Sequence, residues 1–360
     1  VRVDAVVVGA GVMGAMTAWR LALRGRSVVL LEQFSLGHAH GSSHGQTRIM
    51  RVAYRDPRYT HLAGEALALW RDLETASNEM LLEQTGQLDH GEPEVIQGIE
   101  VGLQLNGWTA ERLTPADAAE RWPSMVFDRA VVYSPDGGRL FADRSVTAAV
   151  RTAVRLGAVT HERTQVERIE RTADGVRVHS SSGSWEAGVV ILCAGPWLPE
   201  LAGGLVPLPT LTVTQQQPVH FAVRPGLHFP SFVHHPGGTG PLSFGAYGLE
   251  SPGEGVKVGI EATIRTVTSA TRTYEEDPVV TAAARAYAEK WLPGADTSQH
   301  TAVTCLFTET ADGHFILERH GPIVICSPCS GHGFKFAPAI GERTARLALG
   351  EASEPALPSA

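Results

Sequence analysis

The chain has 360 residues, of which 43% are hydrophobic and 19% charged, a length that favours two domains or one large domain carrying an insertion. Thirty Lys plus Arg stand against 38 Asp plus Glu, a net charge of -8 with no block of like charge. This excludes a disordered tail, a collagen-like repeat, a coiled coil and a general binder of nucleic acid or anionic membranes, and leaves a globular protein with small-molecule ligands.

Residues 3–8 read as a strand, Gly9-Ala10-Gly11-Val12-Met13-Gly14 as a glycine turn, the stretch to about Arg24 as a helix, and residues 27–31, ending in Glu32, as a second strand. This is a βαβ opening, and the unbroken Val6, Val7 and Val8 suit a parallel strand buried on both faces. Gly25 sits where a helix C-cap belongs. A loop of Gly, His and Ser over residues 37–46 leads to a helical pattern near residues 61–76. Thr114-Pro115-Ala116-Asp117 starts a short helix with Thr as N-cap, and residues 143–156 form an amphipathic helix ending at Gly157. Residues 165–171 and 176–180 read as a hairpin about Asp174-Gly175, and residues 189–193 as a buried strand broken by Ala194-Gly195-Pro196. From 211 to 264 the pattern is β segments separated by Gly and Pro, followed by a helix at about 279–291. The α/β style returns in a strand at 321–326, which feeds Gly331-His332-Gly333 and a last helix to Leu349. The expected architecture is α/β plus β: a Rossmann-like nucleotide domain from residues 1–83, 143–209 and 312–360, with a β-rich substrate domain from 84–142 and 210–311.

Gly9, Gly11 and Gly14 fit the dinucleotide fingerprint, and Glu32 stands where a carboxylate accepts from ribose hydroxyls. The amides and dipole of the following helix suit a pyrophosphate. The motif does not decide between NAD and FAD. The basic residues are almost all arginine, the only lysines being Lys257, Lys290 and Lys335, so lysine is expected mainly where an ammonium does what a guanidinium cannot.

Three further segments carry a resemblance: Gly41-Ser42-Ser43-His44-Gly45-Gln46-Thr47-Arg48-Ile49-Met50-Arg51, Ala302-Val303-Thr304-Cys305-Leu306-Phe307-Thr308-Glu309-Thr310 and Ser330-Gly331-His332-Gly333-Phe334-Lys335-Phe336. In this order they resemble the monomeric sarcosine oxidase and N-methyltryptophan oxidase family, and the likeness runs from the first strand to the last helix. It implies a flavin amine oxidase whose FAD is attached covalently through Cys305. It also implies FAD contacts from Gly9, Gly11, Val12, Met13, Gly14 and Glu32, from Gly41, Ser42, Gly45, Thr47 and Arg48, and from Gly331, His332, Gly333, Phe334 and Lys335. By the same resemblance His44 and Arg48 lie beside the flavin ring and Arg51 and Lys335 hold a substrate carboxylate. Lys257, in Gly255-Val256-Lys257-Val258-Gly259, matches the family lysine that stabilises superoxide on the opposite flavin face. The chain departs from the best-known members in having Glu261 in place of a histidine and Phe307 in place of a tyrosine, both where the amine end of the substrate is expected.

The reading is an FAD-dependent oxidase of carboxylate-bearing secondary amines: hydride passes to flavin N5, the imine hydrolyses, and O2 becomes H2O2. A dehydrogenase with another electron acceptor and a non-catalytic flavin-binding sensor are the alternatives. Four cysteines make no disulfide framework, and no segment reads as a transmembrane span or as a cleavable signal peptide, so a cytoplasmic location without membrane or nucleic-acid partners is expected. Cys326-Ser327-Pro328-Cys329 lacks a second ligand pair and is read as two packed thiols, with no metal expected. Gly195-Pro196-Trp197 suits either a second flavoprotein glycine turn or core packing of Trp197.

Overall fold

In a computed structural model the described residues are 2–236, 245–260 and 265–351. The first strand, Arg2–Val8, runs parallel to Val28–Leu31 on one side and to Gly183–Leu192 on the other. Val6 and Val7 are wholly buried, as a run with no polar alternation requires. Val159–His161 extends this sheet beyond Val28–Leu31, and Ile323–Ser327 pairs parallel with residues 190–192. The first half of the long strand Gly183–Leu192 instead continues an antiparallel hairpin formed with Gly175–Ser180 and Val166–Thr172. Helices Val12–Leu23, Ala142–Arg155 and Ala337–Ala348 contribute to one large apolar core with the sheet, and Pro57–Ser77 packs into it through Leu62, Ala66 and Trp70.

A second sheet is antiparallel except at one place. Its order is Ala295–Ala302, Val219–Val223, Gly255–Ile260, Ala246–Ser251, Ser231–His235, Gln87–Gly91, Ala130–Ser134 and Glu111–Leu113. The single parallel pair, Ser231–His235 with Gln87–Gly91, brings residues about 145 positions apart into register, so that Val233 faces Asp89 and His235 faces Gly91. Helix Pro278–Trp291 covers this sheet through Ala284 and Ala288. Two smaller sheets complete the frame: Thr47–Met50 with Gly138–Phe141 and Leu82–Glu83, and Leu211–Gln216 between Cys305–Thr310 and Arg265–Thr266.

Local rules account for the element ends. Thr114 caps Pro115–Arg121 with a reciprocal bond to Asp117, and Asp56 caps Pro57–Ser77 by accepting from Arg58 N at 2.9 Å. The helix from Pro57 starts four residues earlier than the apolar pattern near 61 indicates, because the Asp-Pro start signal precedes the first buried position. Helix Pro93–Leu105 and the polar strand Gln87–Gly91 have no counterpart in the sequence reading. In that strand Gln87, Asp89 and His90 are all buried, so it lacks the polar-out face that period-two reading needs.

Candidate active site

One cavity of about 630 Å³ is lined by the glycine turn, the loop from Gly41 to Thr47, Cys305, and the two buried lysines Lys257 and Lys335. Its size suits a cofactor together with a small substrate.

At the glycine turn, Gly9 has φ 97°, and a Cβ on it would lie 2.5 Å from the carbonyl oxygen of Cys193; a Cβ on Gly14 would lie 1.8 Å from the Gly9 oxygen. Only glycine allows this approach of strand, turn and helix. The helix begins directly after Gly11, which has no side chain to cap it, and Ser43 Oγ accepts from Val12 N at 3.0 Å. Glu32 Oε2 accepts from Ala10 N at 2.8 Å, and Oε1 accepts from Phe34 N at 2.9 Å and lies 3.3 Å from His38 Nε2. Burial pushes its pKa up, but His38 and the two amides outweigh that and hold the carboxyl below its usual range. The carboxylate expected at a ribose therefore also ties the turn to the end of the second strand.

Arg48 folds back on its own loop. Its guanidinium donates to the carbonyls of Ser42 at 2.9 Å, His44 at 2.7 Å and Thr47 at 2.9 Å, and lies 5.5 Å from the Phe334 ring centroid. Gly45 N donates to Asp143 Oδ1 at 2.9 Å. Burial, then the charge of Arg48, pushes His44 down to about 4, so its imidazole is neutral at pH 7. Among the described residues, the Ser42 hydroxyl and His44 Nε2 are buried with no hydrogen-bond partner. Buried polar atoms are nearly always paired, so two such atoms beside a helix N-terminus whose Gly11 offers no side-chain acceptor fit a polar cofactor, and FAD meets both requirements.

Lys257, on Gly255–Ile260, is 6% exposed and donates to the Thr47 carbonyl at 2.9 Å and to Thr47 Oγ1 at 3.2 Å. Burial, reinforced by Arg48, pushes it down to about 7; Glu254, Cys305 and Asp143 pull the other way. His220, its register partner, is likewise pushed to about 4 by burial and by Lys257.

Arg51 and Lys335 come together around Tyr54. The Arg51 guanidinium lies 4.1 Å from the Tyr54 ring centroid, and Lys335 Nζ lies 5.6 Å from the same ring and donates to the His332 carbonyl at 2.6 Å. Burial and the neighbouring Arg51 hold Lys335 well below the ordinary lysine value. A residue absent from the sequence reading completes this group: Asp89, fully buried, sits 3.2 Å from Arg51 Nη1 and accepts from His235 Nε2 at 2.8 Å. Arg51 and the His235 ring thus share one buried carboxylate.

Cys305 begins the strand Cys305–Thr310 and is 8% exposed. Burial pushes its thiol up, while Arg48, Lys257 and Arg272 favour the thiolate. Phe307, two residues on, lines the same cavity, and Arg272 secures the segment by donating to the carbonyls of Thr304 at 2.7 Å and Ala39 at 2.8 Å. Glu261 lies outside the described residues. Gly331, His332, Gly333 and Phe334 line the cavity, and Trp197 does so beside Phe34, with ring centroids 5.6 Å apart. Cys326 packs against Cys193 and accepts from Thr344 Oγ1 at 3.4 Å, whereas Cys329 Sγ accepts from Thr308 N at 3.3 Å. Lys290 is exposed on its helix, over the Trp291 ring. Among the described residues, no helix is long and apolar enough to cross a membrane.

Comparison with known proteins follows the same outline. The family model described as FAD dependent oxidoreductase matches residues 4–347. Monomeric sarcosine oxidase of a Bacillus species is 30% identical over 362 residues, covering 96% of this chain and 92% of that protein. Peroxisomal sarcosine oxidase of Mus musculus is 33% identical over 371 residues, with the same coverage. Among solved structures, NikD, an unusual amino acid oxidase essential for nikkomycin biosynthesis, superposes with a TM-score of 0.85 at 26% identity, covering 97% of this chain and 94% of that one. The chain belongs to the FAD dependent oxidoreductase family, alongside the sarcosine oxidases that its histidine-loop, cysteine and lysine segments resemble.

Proposed function

We propose that the protein oxidises secondary amines that carry a carboxylate, N-substituted amino acids, and passes the electrons to O2. The amine carbon loses two electrons and a C–H bond to become an imine, water cleaves the imine to a carbonyl compound and an amine, and O2 leaves as H2O2. Bound FAD supplies the two-electron acceptor between amine and oxygen. The observation that carries the reading is at Tyr54: Arg51 and Lys335 are both buried, Asp89 is the described anionic partner of Arg51, and no ion pair to Lys335 is found among the described residues. Burying an unpaired charge is costly, so the site favours a ligand that brings one further negative charge. A carboxylate meets that need with charge-assisted hydrogen bonds, and a fixed carboxylate orients the adjacent C–H bond.

The other residues take roles that follow from their surroundings. Ser42, His44 and the helix after Gly11 hold the cofactor, and Arg48 keeps that loop in shape through its three carbonyl contacts. Ile49, Val233, Tyr247 and Phe307 line the substrate region and exclude water. Lys257 places positive charge where oxygen gains negative charge, and such a charge acts strongly in a site closed to water. Cys305 is the point of covalent attachment; burial raises its thiol, and Arg48, Lys257 and Arg272 offset part of that shift. Intact-mass measurement tests the attachment: wild type carries the added mass of FAD and Cys305→Ala does not. The substrate assignment is tested by peroxide release with N-alkyl amino acids against the corresponding decarboxylated amines. Activity confined to the carboxylates is expected, and equal rates on both sets would overturn the clamp.

A further inference from the structure

Lys257 is not isolated in the core. From its Nζ a line of hydroxyls leads outward: Nζ donates to Thr47 Oγ1 at 3.2 Å, Thr47 Oγ1 to Ser251 Oγ at 3.1 Å, and Ser251 Oγ to Glu254 Oε2 at 2.6 Å. Ser251 and Glu254 flank the hairpin turn between Ala246–Ser251 and Gly255–Ile260, whose tip residues Pro252 and Gly253 are exposed. Thr47 and Ser251 are fully buried, whereas the Glu254 side chain is 33% exposed. A buried ammonium, two buried hydroxyls and a solvent-reaching carboxylate thus form one unbroken path from the cavity to water. Hydroxyls both donate and accept, so such a path can pass a proton without moving any heavy atom far.

We propose that Glu254, through Ser251 and Thr47, is the proton-uptake route that recharges Lys257 during oxygen reduction. The inference rests on the oxidase reading above. Reduction of O2 to H2O2 takes two electrons and two protons; bound FAD would supply the two electrons and at most one of the protons, so at least one proton comes from the medium. Lys257 gives that proton to the oxygen species and takes another along the path, with Glu254 loading from water at the turn. The groups facing Lys257 fit this role. Arg48 from the loop strand opposes its charge, Asp143, Cys305 and Glu254 support it, and His220 from the adjacent strand is held neutral by burial, lying 3.5 Å from Glu254 Oε2. A lysine brought near neutrality in this way can release and regain a proton at working pH, which an ordinary lysine cannot.

Two variants separate proton transfer from charge. Ser251→Ala removes the middle hydroxyl and leaves Glu254 charged, whereas Glu254→Gln removes the charge and keeps the shape. The chain's three lysines make the lysine state directly readable, because the holoenzyme labelled with 13C at lysine Cε gives three resonances, assigned by Lys290→Met and Lys257→Met. The expected result is that Glu254→Gln lowers the Lys257 titration midpoint while Ser251→Ala leaves it in place. Both variants are expected to slow reoxidation of the reduced holoenzyme by oxygen about tenfold or more above neutral pH, each gaining a solvent deuterium isotope effect, and the double variant to be no slower than the worse single one. Wild-type reoxidation rates and isotope effects in Ser251→Ala would overturn the relay even if Glu254→Gln is slow, since charge alone then explains the loss. A wild type that oxygen itself fails to reoxidise would overturn the oxidase reading and the relay together, and is distinguished by needing no variant.

Discussion

The two ends of the cavity are built on opposite principles. The glycine-turn end is made of backbone: Gly9 and Gly14 permit contacts no side chain would allow, the helix after Gly11 takes a side-chain acceptor from Ser43 rather than from its own N-cap, and its carboxylate Glu32 is pinned by amides within two dozen residues of chain. The far end is made of buried charge collected from distant segments, with Arg51, Asp89, His235 and Lys335 in one group and Lys257, Thr47, Ser251 and Glu254 in another. The first kind of site is set by steric fit, because a Cβ at Gly9 or Gly14 would collide with neighbouring backbone. The second is held by electrostatic partners that each pay a desolvation cost, so removing one partner exposes the cost of the other. On the proposed reading the first end holds the cofactor, and the second sets rate and substrate choice.

Asp89→Asn is the sharpest way to break this contrast. It leaves Arg51 without its carboxylate, and breaking a buried pair costs about 3–5 kcal/mol. Thermal denaturation should show that loss, and a carboxylate ligand should raise the variant's melting temperature more than that of wild type, because the ligand then supplies the sole counter-charge. An unchanged melting temperature would mean that Asp89 is not the structural anion of the clamp.

Lys257→Met comes next. Removing a single preorganised electrostatic contact in an active site costs roughly 10²–10³-fold, and here the loss should fall on reoxidation by oxygen rather than on reduction by substrate. Stopped-flow measurement of the two half-reactions separates them. Lys290→Met, which alters an exposed helix residue, is the matched control and should stay within about 0.5 kcal/mol of wild-type stability with unchanged rates.

Gly9→Ala tests the backbone end, and its effect on folding is the smaller. A residue other than glycine at φ 97° costs of order 1–3 kcal/mol, and the added methyl group would meet the Cys193 carbonyl. The visible absorbance of flavin per protein should fall while secondary structure by circular dichroism is kept. Full flavin content would show that the turn tolerates a side chain and that the two ends differ less in kind.

The difference between the ends also separates what is legible in the sequence from what is not. The glycine turn, the buried valine run, the Thr114 cap and the strand leading into Gly331 are local signals, because the residues that interact are neighbours in the chain and their types state what the backbone must do. Lys257 and Lys335 stood out by rarity and by the segments around them, and the structure places both in the cavity. Asp89 carried no such sign. It lies in a strand whose polar residues look solvent-facing, and only the parallel pairing of that strand with Ser231–His235 puts it between Arg51 and His235. Glu254 is equally silent: a turn glutamate three residues after a prolyl-flanked serine reads as surface until Thr47, over 200 positions away, closes the gap to Lys257. Sequence alone determines where the backbone turns and which residue types are available, since those depend on short-range sterics and periodicity. Which charges face one another, and which carboxylate each buried cation depends on, is decided only when distant strands pair, because Coulombic partnership depends on distance in space and not on separation along the chain.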